Sequence, residues 1–102
     1  MLAIAIGLTQ LAIAQSAVSG RVINSQSREA VPYVSIGIEN KATGTVSNIK
    51  GEFFLKLRAD ISSADSVIFS SIGYKTVKHS IADLQKPDNE VFIVPQTYSL
   101  EE

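Results

Sequence analysis

The single histidine, His79, is the residue from which any hydrolytic triad in this sequence would have to be built. A triad would place it beside a serine and an acid such as Asp83. The nearby serines are Ser70, Ser71 and Ser80, and none lies in the G-x-S-x-G pattern of a nucleophile elbow. Because His79 lies in an alternating segment that predicts a strand, we interpret it as a solvent-facing or structural histidine. The sequence predicts no enzyme.

Metal and phosphate sites have equally little support. The chain has no cysteine, which excludes disulfides, zinc thiolate sites and thiol nucleophiles. Its scattered aspartates lack the order of a calcium loop, and Gly44 and Gly51 flank a turn without the G-x-G-x-x-G order. We therefore expect no catalytic residue, no metal site and no cofactor. The scattered aspartates are Asp60, Asp65, Asp83 and Asp88.

Length and charge narrow the class of protein further. The chain has 102 residues, of which 45% are hydrophobic, enough for one domain of ordinary size. Nine basic and ten acidic residues give a formal net charge of −1. This balance argues against nucleic acid or an anionic membrane surface as a partner.

The first 14 residues are predicted to be an export signal. Eleven of them are apolar, none is charged, and they end in the small-x-small pattern Ala12-Ile13-Ala14, which predicts cleavage after Ala14. The run is shorter than the roughly 20 apolar residues of a transmembrane helix. No Lys or Arg precedes it, so we expect the natural start to lie upstream of Met1. A buried N-terminal helix is the alternative.

The remaining chain predicts strands. Val34, Ile36 and Ile38 alternate with polar residues after Pro32, and Phe53, Leu55 and Leu57 do so after Gly51, as in half-buried strands. Residues 66–72 are apolar on both faces, up to Ile72, as in a central strand. With the turn residues between them, the seven segments predict an antiparallel sandwich or small barrel. The segments are 17–24, 32–39, 44–47, 52–58, 66–72, 76–81 and 91–94.

Four motifs resemble those of the carboxypeptidase regulatory-like domain common in Bacteroidetes envelope proteins. The resemblance covers nearly all of the chain after the predicted signal. Asn48 stands where many members have Asp, and Val31-Pro32-Tyr33 replaces the commoner L-P-G. The motifs are SGRV at 19–22, AVPYVSI at 30–36, GTVSNIKGEF at 44–53 and FSSIGYK at 69–75.

The resemblance implies an all-β, seven-stranded antiparallel Greek-key sandwich of the transthyretin-like or prealbumin-like type, spanning residues 15–95. It also implies that the motif residues are structural. Gly20 would relieve crowding between strands, Gly44 and Gly51 would form turns, and Gly51 is expected to have a positive φ. Phe53 would anchor the core, while Gly73 and Tyr74 would end the central strand with a bend and an aromatic plug. The full set is Gly20, Pro32, Gly44, Gly51, Phe53, Gly73 and Tyr74.

The resemblance also implies a context. Such domains are accessory modules that often precede the plug of TonB-dependent outer-membrane receptors, so residues 96–102, with Glu101 and Glu102, are predicted to be a linker to a downstream module. We expect an exported protein of the periplasm or outer membrane, monomeric when isolated, whose partner is an envelope protein or a linked domain. A carbohydrate- or peptide-binding surface module attached to a peptidase is the alternative. Tyr33 and Phe54 are predicted to face outward, and a shared docking patch is a hypothesis.

Overall fold

Two β-sheets form nearly all of the structure. The computed structural model describes residues 17–96, so the predicted signal at residues 1–14 and most of the predicted linker at 96–102 lie outside the described residues. A short 3-10 helix, Ala82–Leu84, precedes the last strand. The strands are β1 (Ala17–Asn24), β2 (Ser35–Ile38), β3 (Gly44–Val46), β4 (Glu52–Lys56), β5 (Ser66–Ser70), β6 (Val77–Ser80) and β7 (Asn89–Ile93).

The strand order is β4-β1-β7 in one sheet and β3-β2-β5-β6 in the other. The all-β class and the two-sheet arrangement agree with the predicted sandwich. An entirely antiparallel pairing is wrong, because β1 and β7 are parallel, with Gly20 opposite Asn89. The reason is directional. Tyr74, just before β6, bridges to Pro95, just after β7, so β7 runs back past β6 and lies parallel to β1 in the other sheet.

The core lies between the sheets and consists of the inward side chains of alternating strands. In β4 the alternation places Phe53 and Leu55 inside and Phe54 outside, as predicted. The Phe53 ring meets Phe69 of the facing sheet edge to face, with centroids 5.4 Å apart. The other buried hydrophobic residues of the cluster are Val18, Val22, Val31, Val34, Ile36, Ile38, Leu55, Val67, Ile81, Leu84, Val91 and Ile93.

Three predicted strands are at least two residues too long at one end: the segment 52–58 ends at Lys56, and turns shorten the segments 32–39 and 66–72. Pro32 does not open a strand: Pro32 and Tyr33 form a turn, and β2 begins only at Ser35. Tyr33 has a φ of 58°, which takes the backbone out of the extended conformation. The central strand ends at Ser70, and Ile72 beyond it is 97% exposed rather than buried. The late start of β2 and the early end of β5 both result from turns that the apolar pattern does not reveal.

The turn between β3 and β4 is held by its own side chains. Asn48 Oδ1 accepts hydrogen bonds from the backbone N–H groups of Lys50 and Glu52, both at 2.9 Å. Gly51 has a φ of 76°, and its carbonyl accepts a 2.8 Å bond from the Val22 N–H of β1. A Cβ on Gly51 would lie 2.8 Å from the Val22 oxygen. Gly51 is therefore required both by the turn and by the packing of this turn against β1.

Gly20 and Gly44 permit close approach of neighbouring backbones. A Cβ on Gly20 would collide with the backbone of Asn89. Gly44 is the first residue of β3, which confirms the start of the predicted segment 44–47. A Cβ there would lie 2.8 Å from the Ile36 oxygen. The tight β2–β3 pairing, and not a left-handed turn, makes glycine suitable at this position.

Lys41 of the β2–β3 hairpin binds two groups of the loop before β5 and so connects the hairpin to that loop. Lys41 Nζ lies 3.0 Å from Asp65 Oδ2 and donates a 2.7 Å bond to the Asp60 carbonyl. The Ser62 N–H also donates to Asp65 Oδ2, at 2.8 Å. These two donors, the Ser62 amide first and Lys41 second, hold the pKa of Asp65 below its ordinary value of 3.8.

Gly51→Val is expected to destabilise the domain more than Gly73→Val. Both glycines have a positive φ, so both variants incur backbone strain of about 1–3 kcal/mol. Only Gly51 also lacks space, since nothing lies within 4 Å of a Cβ on Gly73. Urea unfolding of the two variants tests the difference. Equal midpoints would show that the packing of Gly51 against β1 contributes nothing.

The Asp65 contacts predict a loss of stability in acid. Because the folded pKa is lowered, the stabilisation is present at neutral pH and is lost as the pH falls below about 4 through the folded pKa. Asp65→Asn should therefore lower the urea midpoint at pH 6, and the difference from wild type should vanish near pH 2. Asp83→Asn, which removes an exposed carboxylate with no ion pair among the described residues, is the control.

Candidate docking surface

The residues of a conceivable triad are not assembled. His79 lies on β6 opposite Val67, half-buried, and its ring meets Phe69 edge to face with centroids 5.9 Å apart. The Ser80 hydroxyl instead accepts a bond from the Asp83 backbone N–H at the start of the 3-10 helix. His79 thus has a packing role at the edge of the core, in agreement with its interpretation as a structural histidine.

The carboxylates are dispersed as well. Among residues 17–96, no group of three or more His, Asp or Glu side chains is placed to hold a metal ion. Asp60 accepts two bonds from the Arg58 guanidinium, and the side-chain hydrogen bond lowers the pKa of Asp60. Asp65 is bound by Lys41. These two carboxylates are ionised surface groups held by cations, and the low pKa makes each a poor general acid at neutral pH.

A polar crevice is lined by residues of all three strands of the three-stranded sheet. Arg21 of β1 lies between Glu52 of β4 and Glu90 of β7 in the strand register. At its side Asn89 is only 3% exposed, and its Nδ2 donates to three backbone carbonyls at 2.9 to 3.1 Å. The NH2 group of Asn89, which could otherwise bind a ligand, therefore binds the β6–β7 connection to β1. The three acceptors belong to Ser19, Leu84 and Lys86.

A buried serine shapes the turn before β2. Ser47 Oγ accepts a 2.8 Å bond from the Val34 N–H and donates a 3.1 Å bond to the Val31 carbonyl. The Tyr33 N–H bonds to the Ser47 carbonyl at 3.0 Å. These bonds hold Tyr33 at a positive φ, where a bulky residue is strained, while its side chain is 64% exposed. The fold thus presents an aromatic ring to solvent on a strained turn.

Tyr33 shares a shallow depression with Ile72. The depression is lined by both side chains and by three serines between them, and no charged side chain lines it. Val46, which is 57% exposed, lies opposite Ser35 across the β2–β3 pair and extends the surface. We call Tyr33, Val46 and Ile72 together the Tyr33–Ile72 patch. The lining serines are Ser35, Ser70 and Ser71.

Phe54 is exposed, as predicted, but does not join this patch. It lies on β4 opposite Ser19, on the outer face of the three-stranded sheet. Tyr33 belongs with the four-stranded sheet, whose outer face points the other way. The hypothesis of a docking patch shared by Tyr33 and Phe54 is therefore wrong, and the neighbour of Tyr33 is Ile72.

Sequence reasoning missed Ile72 and Val46 as surface residues and Ser47 and Asn89 as buried polar ones. Gly73, directly after Ile72, was the available signal that the strand ends early. Ser47 and Asn89 had no such signal, because their partners lie 13 to 16 and up to 70 residues away along the chain. The motif residue Tyr74 is half-buried against the core, and its hydroxyl accepts a 3.3 Å bond from Asn24.

The pattern of strands, turns and structural glycines agrees with a family match. Residues 18–102 match the CarboxypepD_reg-like domain. The chain belongs to this family. The CarboxypepD_reg-like domain is a non-catalytic β-sandwich module, in keeping with the dispersed carboxylates and the packed histidine. No curated protein matches the chain. The described part of this CarboxypepD_reg-like domain contains no helix with the length and hydrophobicity of a membrane span.

Ser47→Ala is expected to lower the free energy of unfolding by about 1–3 kcal/mol, because it leaves the buried Val34 N–H and Val31 carbonyl without their side-chain partner. Ser35→Ala removes an exposed hydroxyl and should change stability by less than about 0.5 kcal/mol. Urea unfolding measures both variants. If they were equally stable, Ser47 would not be the residue that holds the Tyr33 turn.

Proposed function

We propose that this CarboxypepD_reg-like domain is an exported, non-catalytic accessory module that docks onto a linked domain or a partner protein of the cell envelope. The Tyr33–Ile72 patch is the observation that carries the proposal. Apolar side chains exposed on a strained, hydrogen-bonded turn are suited to a protein contact, and no charged side chain lines the depression between Tyr33 and Ile72.

The proposed setting is the periplasmic N-terminal extension of a TonB-dependent outer-membrane transporter system. The apolar run at residues 1–14, with its Ala12-Ile13-Ala14 ending, supports export. The four sequence motifs support the envelope context through their resemblance to domains that precede a receptor plug. In this setting residues 96–102 form the linker to the downstream module.

We also propose that the strands follow the Greek-key order of the transthyretin-like sandwich. β4 returns beside β1 after β2 and β3 have formed a hairpin in the other sheet, which supports this connectivity. The order matters for function because it brings the turns at Tyr33 and Ile72 to one end of the molecule.

A surface module that binds carbohydrate or peptide is the second candidate. The serine hydroxyls between Tyr33 and Ile72 favour it, since an aromatic ring with neighbouring hydroxyls can contact a sugar or a peptide backbone. The two candidates differ in location, because a transporter extension lies inside the outer membrane and a surface module outside it.

Protease treatment of cells that express the natural full-length gene distinguishes the candidates. We expect an antibody against residues 17–96 to detect the domain in the outer-membrane fraction. The domain should resist protease in intact cells and be degraded once the outer membrane is permeabilised. Degradation in intact cells would support the surface module, and recovery in the cytoplasm would contradict both. Mass spectrometry of the mature N-terminus should find Gln15.

An in-frame deletion of residues 17–96 tests the accessory role. If the domain assists transport, the deletion should reduce uptake of the transporter's substrate while the barrel is still inserted in the outer membrane. The control replaces residues 17–96 with an unstructured spacer of similar length. Normal uptake with the spacer would show that only the length of the extension matters.

A further inference from the structure

The chain leaves the sandwich beside the Tyr33–Ile72 patch. Tyr74 bridges to Pro95, and the Gln96 N–H donates a 2.7 Å bond to the Gly73 carbonyl, next to Ile72. The start of the described chain lies at the other end, where Ala17 is opposite Lys56. The described residues thus end at Gln96 beside the patch and begin at Ala17 away from it.

Two lysines lie on the turns next to the patch, and the carboxylate that follows the first turn, Glu52, accepts a bond from Asn48 and lies opposite Arg21 in the three-stranded sheet. Lys50 and Lys75 are exposed on the two turns that flank it, and neither forms an ion pair among the described residues. Three other cations, Lys41, Arg58 and Lys78, each bind a carboxylate. An uncharged centre with two free lysines at its rim is complementary to an apolar surface with an acidic rim.

The small size of the patch favours docking to a covalently linked domain over docking to a separate protein. Three apolar side chains on one end of a four-stranded sheet cover far less than the roughly 800 Å² per partner of a standard stable interface. A short flexible linker raises the effective concentration of the attached partner to about the millimolar range, at which a small interface suffices.

We propose that the Tyr33–Ile72 patch docks onto the domain that follows Gln96 in the same polypeptide, through an apolar surface of that domain with acidic residues at its rim. This inference rests on the proposed function, which places a linked domain downstream. The docking fixes the orientation of the sandwich on its neighbour, and the exposed Tyr33 ring is the central contact.

Thiol labelling measures the docking directly, because the 102-residue chain has no cysteine of its own. Ile72→Cys reports on the patch, and Phe54→Cys, an exposed apolar position on the opposite sheet, is the matched control. The labelling rate of each peptide is followed by mass spectrometry in the full-length protein and in the 102-residue chain. We expect residue 72 to label at least about tenfold more slowly in the full-length protein, which corresponds to about 1.4 kcal/mol, and residue 54 to label equally in both.

Charge reversal tests the acidic rim. Lys50→Glu with Lys75→Glu should restore fast labelling of residue 72 in the full-length protein. Lys56→Glu with Lys86→Glu changes the net charge equally, away from the patch, and should leave the protection intact. Because all four lysines are exposed, these variants are expected to keep the fold.

Three other results would contradict the docking. Equal labelling of residue 72 in the two proteins would overturn the docking, while the proposed function would still stand on the fractionation result. Protection that rises with the concentration of the 102-residue chain alone would identify a second copy as the occupant and overturn the inference. A natural gene with no coding sequence after Glu102 would contradict both the linked domain and the docking.

Discussion

The crossing from one sheet to the other at residues 47–51 is the constraint on which both the sandwich and its exposed patch depend. At one end of this segment the Ser47 hydroxyl is buried between the Val34 N–H and the Val31 carbonyl. At the other end Gly51 is packed against β1, with no room for a side chain. The same few residues thus join the two sheets and hold Tyr33 in its strained, exposed turn, so the surface is rigidly built on the core.

Several buried or turn-forming polar side chains are hydrogen-bonded to main-chain groups. Ser47 and Asn89 are buried and bonded to main-chain groups, and Asn48 accepts the N–H groups of its own turn. His79 packs on a phenylalanine. Ser47 and Asn48 accept from main-chain N–H groups, and Ser47 and Asn89 donate to main-chain carbonyls, so these three side chains pair backbone groups that would otherwise destabilise the fold. This use of polar groups is compatible with the non-catalytic character of the CarboxypepD_reg-like domain.

Part of the fold was predictable because it depends on local pattern. Alternation at Phe53, Phe54 and Leu55 is a property of neighbouring residues, and so is the turn at Asn48 and Gly51, and both predictions agree with the structure. Gly44 was predicted correctly at the start of a strand, but the reason for a glycine there, the close approach of Ile36 across the hairpin, depends on the strand pairing. The parallel β1–β7 pair depends on the direction in which the chain re-enters a sheet, which no short pattern encodes.

By itself the sequence determined the all-β class, the approximate position of each strand, the absence of cysteine from these 102 residues and the family motifs, since each follows from residue types and short spacings. Tertiary structure alone decided that Ile72 is exposed and that Tyr33, far from it in sequence, is its neighbour rather than Phe54. It also decided that the chain leaves beside them at Gln96. The physical reason is that a surface is formed by strands paired across long sequence separations, whereas composition and periodicity describe only what each strand can bury.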